Sequence, residues 1–247
     1  MIKHKKKVIC AVVLILIIGL VVYRQRVQAP AKTVSTVRSS KQTAGFDKSQ
    51  YSVSEPGSLW WIVNKKRPLP TGYVPPNLVV PQVSLRLDSG AEQMHIRQDV
   101  ATATEQLFAA GKAAGYPLTL ASGYRSAAYQ AVLYNSYVVN DGQAAADRSS
   151  AKPNTSEHQT GMAMDVCALN TNCDLVQSFG KTPTGAWLAN NSYKYGFIIR
   201  YADGKEASTG YEYEPWHIRY VGVALANELH RTGQSMEEFF GVGSGAL

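Results

Sequence analysis

The residues best suited to chemistry lie in two short segments, Ser156-Glu157-His158-Gln159-Thr160-Gly161-Met162-Ala163-Met164-Asp165 and Glu214-Pro215-Trp216-His217. They offer two imidazoles, a carboxylate inside an apolar run, and a second carboxylate just ahead of the second imidazole. The chain has only 5 histidines, and two of them fall here. Two His and one Asp (His158, His217 and Asp165) make the three-ligand set of a catalytic zinc site, with one position open for water and Glu214 beside it as base. Taken alone, His158 reads as a hydrogen-bonded loop residue and Glu214 as a surface carboxylate. Asp165 is harder to dismiss, because a carboxylate flanked by Met164 and Val166 is costly to bury unless it is paired or metal-bound. The coincidence of the four groups points to metal-assisted hydrolysis.

Those groups need particular elements to bring them together. An extended strand would hold His158 and Asp165 roughly 23 Å apart and on opposite faces. The chain must therefore turn back between them, and Thr160-Gly161 is the natural place, since Gly adopts a positive φ without steric cost. Met162 to Val166 then reads as a short buried strand carrying Asp165. Pro215 disfavours helix at Glu214, so the second segment is not a His-Glu-x-x-His helix. It is expected to be extended from Tyr211 to Val221.

The chain resembles the VanY-like D-alanyl-D-alanine carboxypeptidases, zinc peptidases that trim peptidoglycan stem peptides. The resemblance is carried, in order, by Ser122-Gly123-Tyr124-Arg125-Ser126 with Tyr129-Gln130, by the Ser156 to Asp165 segment, by Gly185-Ala186-Trp187-Leu188-Ala189, by Tyr195 to Tyr201, and by Gly210 to Gly222. It spans roughly Trp60 to Phe240 and is strongest from Tyr124 to Gly222. Each motif is weak by itself; their ordered set is specific.

The resemblance implies zinc ligands at His158, Asp165 and His217, a catalytic carboxylate at Glu214, and Arg125, Gln130 and Ser156 in or beside the pocket for the peptide's carboxyl end. The types suit those roles, because a planar guanidinium matches a terminal carboxylate. It also implies an α+β fold of the hedgehog/D-Ala-D-Ala peptidase kind, with a small, mainly antiparallel sheet carrying the zinc. Three ligands and a spare Glu argue against a wall-binding protein with a structural zinc, which would have four protein ligands. A peptidoglycan endopeptidase or lysin on the same site is the other alternative, and Arg125 as a carboxylate anchor weighs against it. The substrate, a D,D-cleaved pentapeptide or an L,D-cleaved tetrapeptide, is left open.

The first residues supply an address. Residues 1–7 form a basic tail rich in Lys, and 8–23 an apolar stretch before Arg24 and Arg26. Sixteen apolar residues approach spanning length when flanking Lys and Arg snorkel, and the basic tail places the N-terminus in the cytoplasm. An uncleaved signal-anchor is favoured over a cleaved signal peptide, since the small residues at Val27-Gln28-Ala29 lie well past the apolar core and precede Pro30. Residues 24–50 have linker composition, leaving 51–247 as the enzymatic domain outside the membrane, on the cell-wall side. The net charge of +7 is partly that basic tail, and no nucleic-acid motif accompanies it; a monomer is expected. Of the 3 cysteines, Cys10 lies in the apolar stretch, and Cys167 with Cys173 reads as one small-loop disulfide of an exported domain, free thiols being the alternative.

The remaining pattern predicts helices over Asp99 to Gly115, Ser126 to Asn140 with Ser126 as N-cap, Thr184 to Tyr195, and Val221 to Thr232. A capping box is expected at Ser235-Met236-Glu237-Glu238. Pro117 to Ala121 and Phe197 to Tyr201 read as strands, and Trp60 to Pro81 as an arm laid along the domain. Helices first and strands later make the fold α+β.

Overall fold

Four short strands form the sheet that organises the molecule. The computed structural model describes residues 46–246. β3 (Leu118–Ser122), β4 (Ala163–Ala168), β5 (Phe197–Ile199) and β6 (His217–Tyr220) are arranged β3-β4-β6-β5, with every neighbouring pair antiparallel. A separate antiparallel pair, β1 (Leu78–Val79) with β2 (Ile96–Arg97), was not legible in the sequence. The helices are α1 (Gln98–Ala113), α2 (Ala127–Asp141), α3 (Gln143–Ser149), α4 (Pro183–Asn191), α5 (Glu206–Thr209), α6 (Val223–Thr232) and α7 (Met236–Phe240).

The period-2 alternation of the strands divides the work between the two faces of the sheet. Met164 and Val166 of β4 and Ile218 of β6 enter a core with Val100, Leu107 and Phe108 of α1 and Leu188 of α4. Asp165, His217 and Arg219 alternate with them and therefore share the opposite face. There a second apolar cluster joins Trp60 and Ile62 of the N-terminal arm to Leu225 and Leu229 of α6 and to Met236 and Phe239 of α7. The start of the arm is thus part of the core: Trp60 and Ile62 are fully buried, and Trp60 Nε1 donates to the Val221 carbonyl.

Several sequence expectations shift in detail. Phe46 packs against Trp60 and Phe239, so ordered packing starts ahead of the expected linker end at residue 50. The third predicted helix divides into α4 and a 3₁₀ turn over Ser192–Tyr195. The extended stretch expected from Tyr211 becomes strand only at His217, because Pro215 and Trp216 form a turn closed by the His217 N–H donating to the Glu214 carbonyl. Ser126 caps α2 by accepting from the Tyr129 N–H, and Ser235 with Glu238 forms the capping box of α7. The expected basic tail, anchor and most of the linker lie outside the described residues. Among those described, no helix is long and apolar enough to cross a membrane.

Cys167 and Cys173 are joined in a disulfide, with Cα atoms 5.2 Å apart, closing the turn after β4. So short a loop limits the unfolded-state entropy that the bond removes, to about 2 kcal/mol. Reduction is expected to lower the urea midpoint accordingly, with the slope of the transition little changed; an unaltered midpoint would show that the bond adds nothing to stability.

Candidate active site

Asp165 and His217 are direct cross-strand partners in the β4–β6 pairing, which places their side chains next to each other on one face. His158 arrives from another element, the 3₁₀ turn Glu157–Thr160, which ends at Gly161 with φ 68°. The turn back expected at this glycine is therefore real, and a side chain there would also press on Arg97 and Leu78. Gly123 supplies the other fixed point. Its carbonyl accepts from His158 Nδ1 at 2.7 Å, and a Cβ at position 123 would overlap the His95 carbonyl.

The ligand atoms of His158, Asp165 and His217 lie within 4.8 Å of one another, and all three residues are buried. A carbonyl only accepts, so His158 Nδ1 carries the proton and its Nε2 presents a lone pair. That lone pair faces Asp165 Oδ1 at 3.3 Å, and His217 Nδ1 faces the same oxygen at 3.2 Å. His158 Nε2 and Asp165 Oδ1 nonetheless lack any aligned hydrogen bond. Burial and then Arg125 push the His158 pKa down to about 4, which disfavours a second proton on the ring. Two bare acceptors buried at this distance call for a cation. Donors about 2.0–2.1 Å from a tetrahedral zinc would stand roughly 3.3–3.4 Å apart, close to the spacing seen. The residues fit zinc.

Glu214 precedes β6 and is held by its N–H donating to the Tyr201 carbonyl. Its Oε2 is 3.7 Å from His217 Nδ1. Burial, reinforced by Asp165, raises the Glu214 pKa to about 8 in the metal-free chain, against the pull of His217 and Arg125. A carboxyl so placed can exchange a proton near neutrality, and a cation at the triad would shift it downward. Burial disfavours charge on His217, but Asp165 and Glu157 outweigh it and raise its pKa to about 9 in the metal-free chain; a cation bound at Nδ1 would displace the proton there.

The triad and Glu214 open on a cavity of about 320 Å³, also lined by Arg125, Gln130, Ser156 and Tyr137. Arg125 donates to Asp165 Oδ2 at 3.3 Å, while its Nε is buried without a partner. It therefore both steadies a ligand and faces the cavity. Gln130, expected in or beside the pocket, lines it with most of its amide already engaged. Its Nε2 donates to the Ala151 carbonyl at 2.8 Å and the Ser150 hydroxyl at 3.4 Å, tying α2 to the loop after α3. Only its Oε1, buried and unpartnered, remains, and that atom accepts hydrogen bonds rather than donating to a carboxylate. Ser156 is buried at the cavity wall.

Sequence reasoning missed the layer behind the site. Glu157, Arg200, Arg219 and Glu237 are all buried, and they form a charge-balanced cluster. Burial alone would raise the Glu157 pKa, but Arg200 and Arg219 hold it well below the usual carboxylate range. Arg219 also donates to the Leu59 and Trp61 carbonyls, locking the arm to the sheet. The available signal was two arginines set in apolar strand sequence, Arg200 after Ile199 and Arg219 after Ile218.

Comparison with known proteins gives this geometry a family. The VanY model, D-alanyl-D-alanine carboxypeptidase, matches residues 93–223. The Bacillus subtilis protein YodJ, whose name marks it as a candidate carboxypeptidase, is 38% identical over 225 residues, covering 86% of this chain and 82% of its own. Among solved structures, the LD-carboxypeptidase LdcB, described for its recognition of peptidoglycan, shares 41% identity at a TM-score of 0.71, covering 75% of this chain and 87% of its own. A variant of the vancomycin-resistance D,D-pentapeptidase VanY in complex with Zn(II) shares 33% identity at a TM-score of 0.61, covering 72% and 97%.

Proposed function

Because the chain belongs to the VanY family of D-alanyl-D-alanine carboxypeptidases, we propose that it removes the terminal D-alanine from peptidoglycan stem peptides, with zinc held by His158, Asp165 and His217. The observation that carries this reading is the convergence of three buried ligand atoms on one point, beside a carboxyl of raised pKa, in a cavity with a guanidinium in its wall. Zinc bound there would polarise the scissile carbonyl and make a water acidic enough to attack it. Glu214 takes a proton from the attacking water and delivers it to the leaving amine of D-alanine. Arg125 receives the free carboxylate of the substrate, with Ser156 donating beside it. Gln130 Oε1 accepts from a peptide N–H. The relatives include both LD- and D,D-enzymes, so the pentapeptide and the tetrapeptide are the two substrates to offer. Residues 8–23 would anchor the domain on the wall side of the membrane and 24–45 would give it reach; the apolar stretch and its basic flank support this.

The exopeptidase claim has a direct test. A charge-assisted pair in a partly dry pocket contributes about 2–4 kcal/mol, so Arg125→Ala should lower kcat/KM about 30- to 1000-fold on stem peptides with a free carboxyl end. Amidating that end should cost the wild type a similar factor and the variant little more. Zinc content, measured in parallel, separates this effect from loss of the Arg125–Asp165 contact. Equal cleavage of amidated or internal bonds by the wild type would replace the carboxypeptidase with an endopeptidase.

A further inference from the structure

Glu157 immediately precedes one proposed ligand, His158, yet its carboxylate points to another, His217. One oxygen, Oε1, accepts from Arg200 Nε and from an Arg219 terminal nitrogen, each at 2.8 Å. The other, Oε2, is buried without a hydrogen-bond partner and faces His217 Nε2 at 3.7 Å, itself buried and unpartnered. The opposite ring nitrogen, Nδ1, looks into the cavity toward Asp165 and Glu214. A buried N–H without an acceptor is costly, and Glu157 Oε2 is the acceptor facing Nε2. The location of that proton decides the chemistry of the ring: held on Nε2, it leaves a lone pair on Nδ1, the atom on the triad side.

We propose that Glu157 is a positioning residue of the metal centre: closing from 3.7 Å, its Oε2 accepts the Nε2–H of His217 when the cation binds, and so fixes the ring and the tautomer that offers Nδ1 to the cation. Arg200 and Arg219 clamp the far oxygen of Glu157, so the carboxylate cannot swing away. This inference rests on the zinc reading of the triad. A carboxylate in that place also increases the basicity of the ligand, which strengthens its hold on a metal.

The same cluster contains its own control. Glu237 binds Arg200 through both oxygens, at 2.9 and 2.6 Å, and accepts from Asn64 at 3.0 Å. Glu157→Gln and Glu237→Gln each remove one negative charge from the same buried group, but only Glu157 faces His217. Zinc affinity of the full-length chain is measured by competition with a chromophoric chelator, at a temperature where circular dichroism shows all variants folded. Glu157→Gln is expected to weaken zinc binding about 10- to 100-fold, with Glu237→Gln within about threefold of wild type. Nitrogen-15 NMR of the histidine rings in the zinc-loaded wild type is expected to show His217 protonated at Nε2 and metal-bound at Nδ1. That measurement decides the matter even if Glu157→Gln does not fold. Unchanged affinity in Glu157→Gln, equal losses in the two variants, or His217 bound through Nε2 would each overturn the proposal. A wild type that binds zinc and cleaves substrate while Glu157→Gln binds zinc as tightly removes only the role of Glu157. A wild type that binds no zinc removes the reading of the triad as well.

Discussion

Glu214→Gln is expected to keep the fold and the zinc while lowering kcat by about 10²–10⁴-fold or more, the usual contribution of a positioned acid–base group. The substitution preserves size and removes the only function that the site asks of this side chain, which is to gain and lose a proton. Glu214 is suited to that function by its surroundings: it is buried, close to Asp165, and raised to about 8 in the metal-free chain. Its distance of 3.7 Å from His217 Nδ1 puts it next to the ligand cluster without being one of the three converging atoms. KM should therefore change little. Steady-state kinetics with zinc analysis on the same preparation checks both halves. Wild-type turnover in Glu214→Gln would show that another group is the base, and loss of zinc would make Glu214 a ligand.

The second large effect is expected at the metal. The purified protein should contain about one equivalent of zinc, and His217→Ala should reduce it toward zero, because two remaining protein ligands hold the ion poorly; Asp165→Asn keeps an oxygen but loses the charge and should also weaken binding. Exhaustive chelation should abolish activity, and added zinc should restore it. Asp165 Oδ1 faces both histidines and its Oδ2 is gripped by Arg125, so Asp165→Asn disturbs three partners at once. Full activity after chelation would falsify the zinc reading, whatever the substrate proves to be.

The chemical types of the site were legible in the chain because they are rare and misplaced. Asp165 between Met164 and Val166 is a carboxylate where a strand should be apolar, and Glu214 lies three residues ahead of a histidine across a proline. The turn at Gly161, the start of α2 at Ser126 and the capping box at Ser235 are local events, decided by backbone freedom and by side chains within four residues. Such contacts need no tertiary partner, so a sequence pattern suffices to place them. The family motifs extended this reading to Arg125 and Ser156, whose side chains do line the cavity.

Other features depended on distant segments. The pairing of Asp165 with His217 is a register between strands some fifty residues apart, and no local rule specifies it. Strand β6 starts at His217 rather than Tyr211 because the turn at Pro215 and the bond to Tyr201 hold the preceding residues away from the sheet. Gln130 lines the pocket as expected, and it is the distant Ala151 carbonyl that engages its amide and leaves only its oxygen free.

By itself, then, the sequence determined which groups could do chemistry, the α+β class, and the local turns and caps that present His158 and start the helices. Only the tertiary structure decided that Glu157, Arg200, Arg219 and Glu237 form one buried cluster behind His217. The reason is electrostatic. A buried charge is tolerable only beside its partners, and these four come from a turn, the end of one strand, the middle of another and the last helix. Their individual positions suggest ordinary salt bridges; their meeting place behind a ring nitrogen is a property of the folded chain alone.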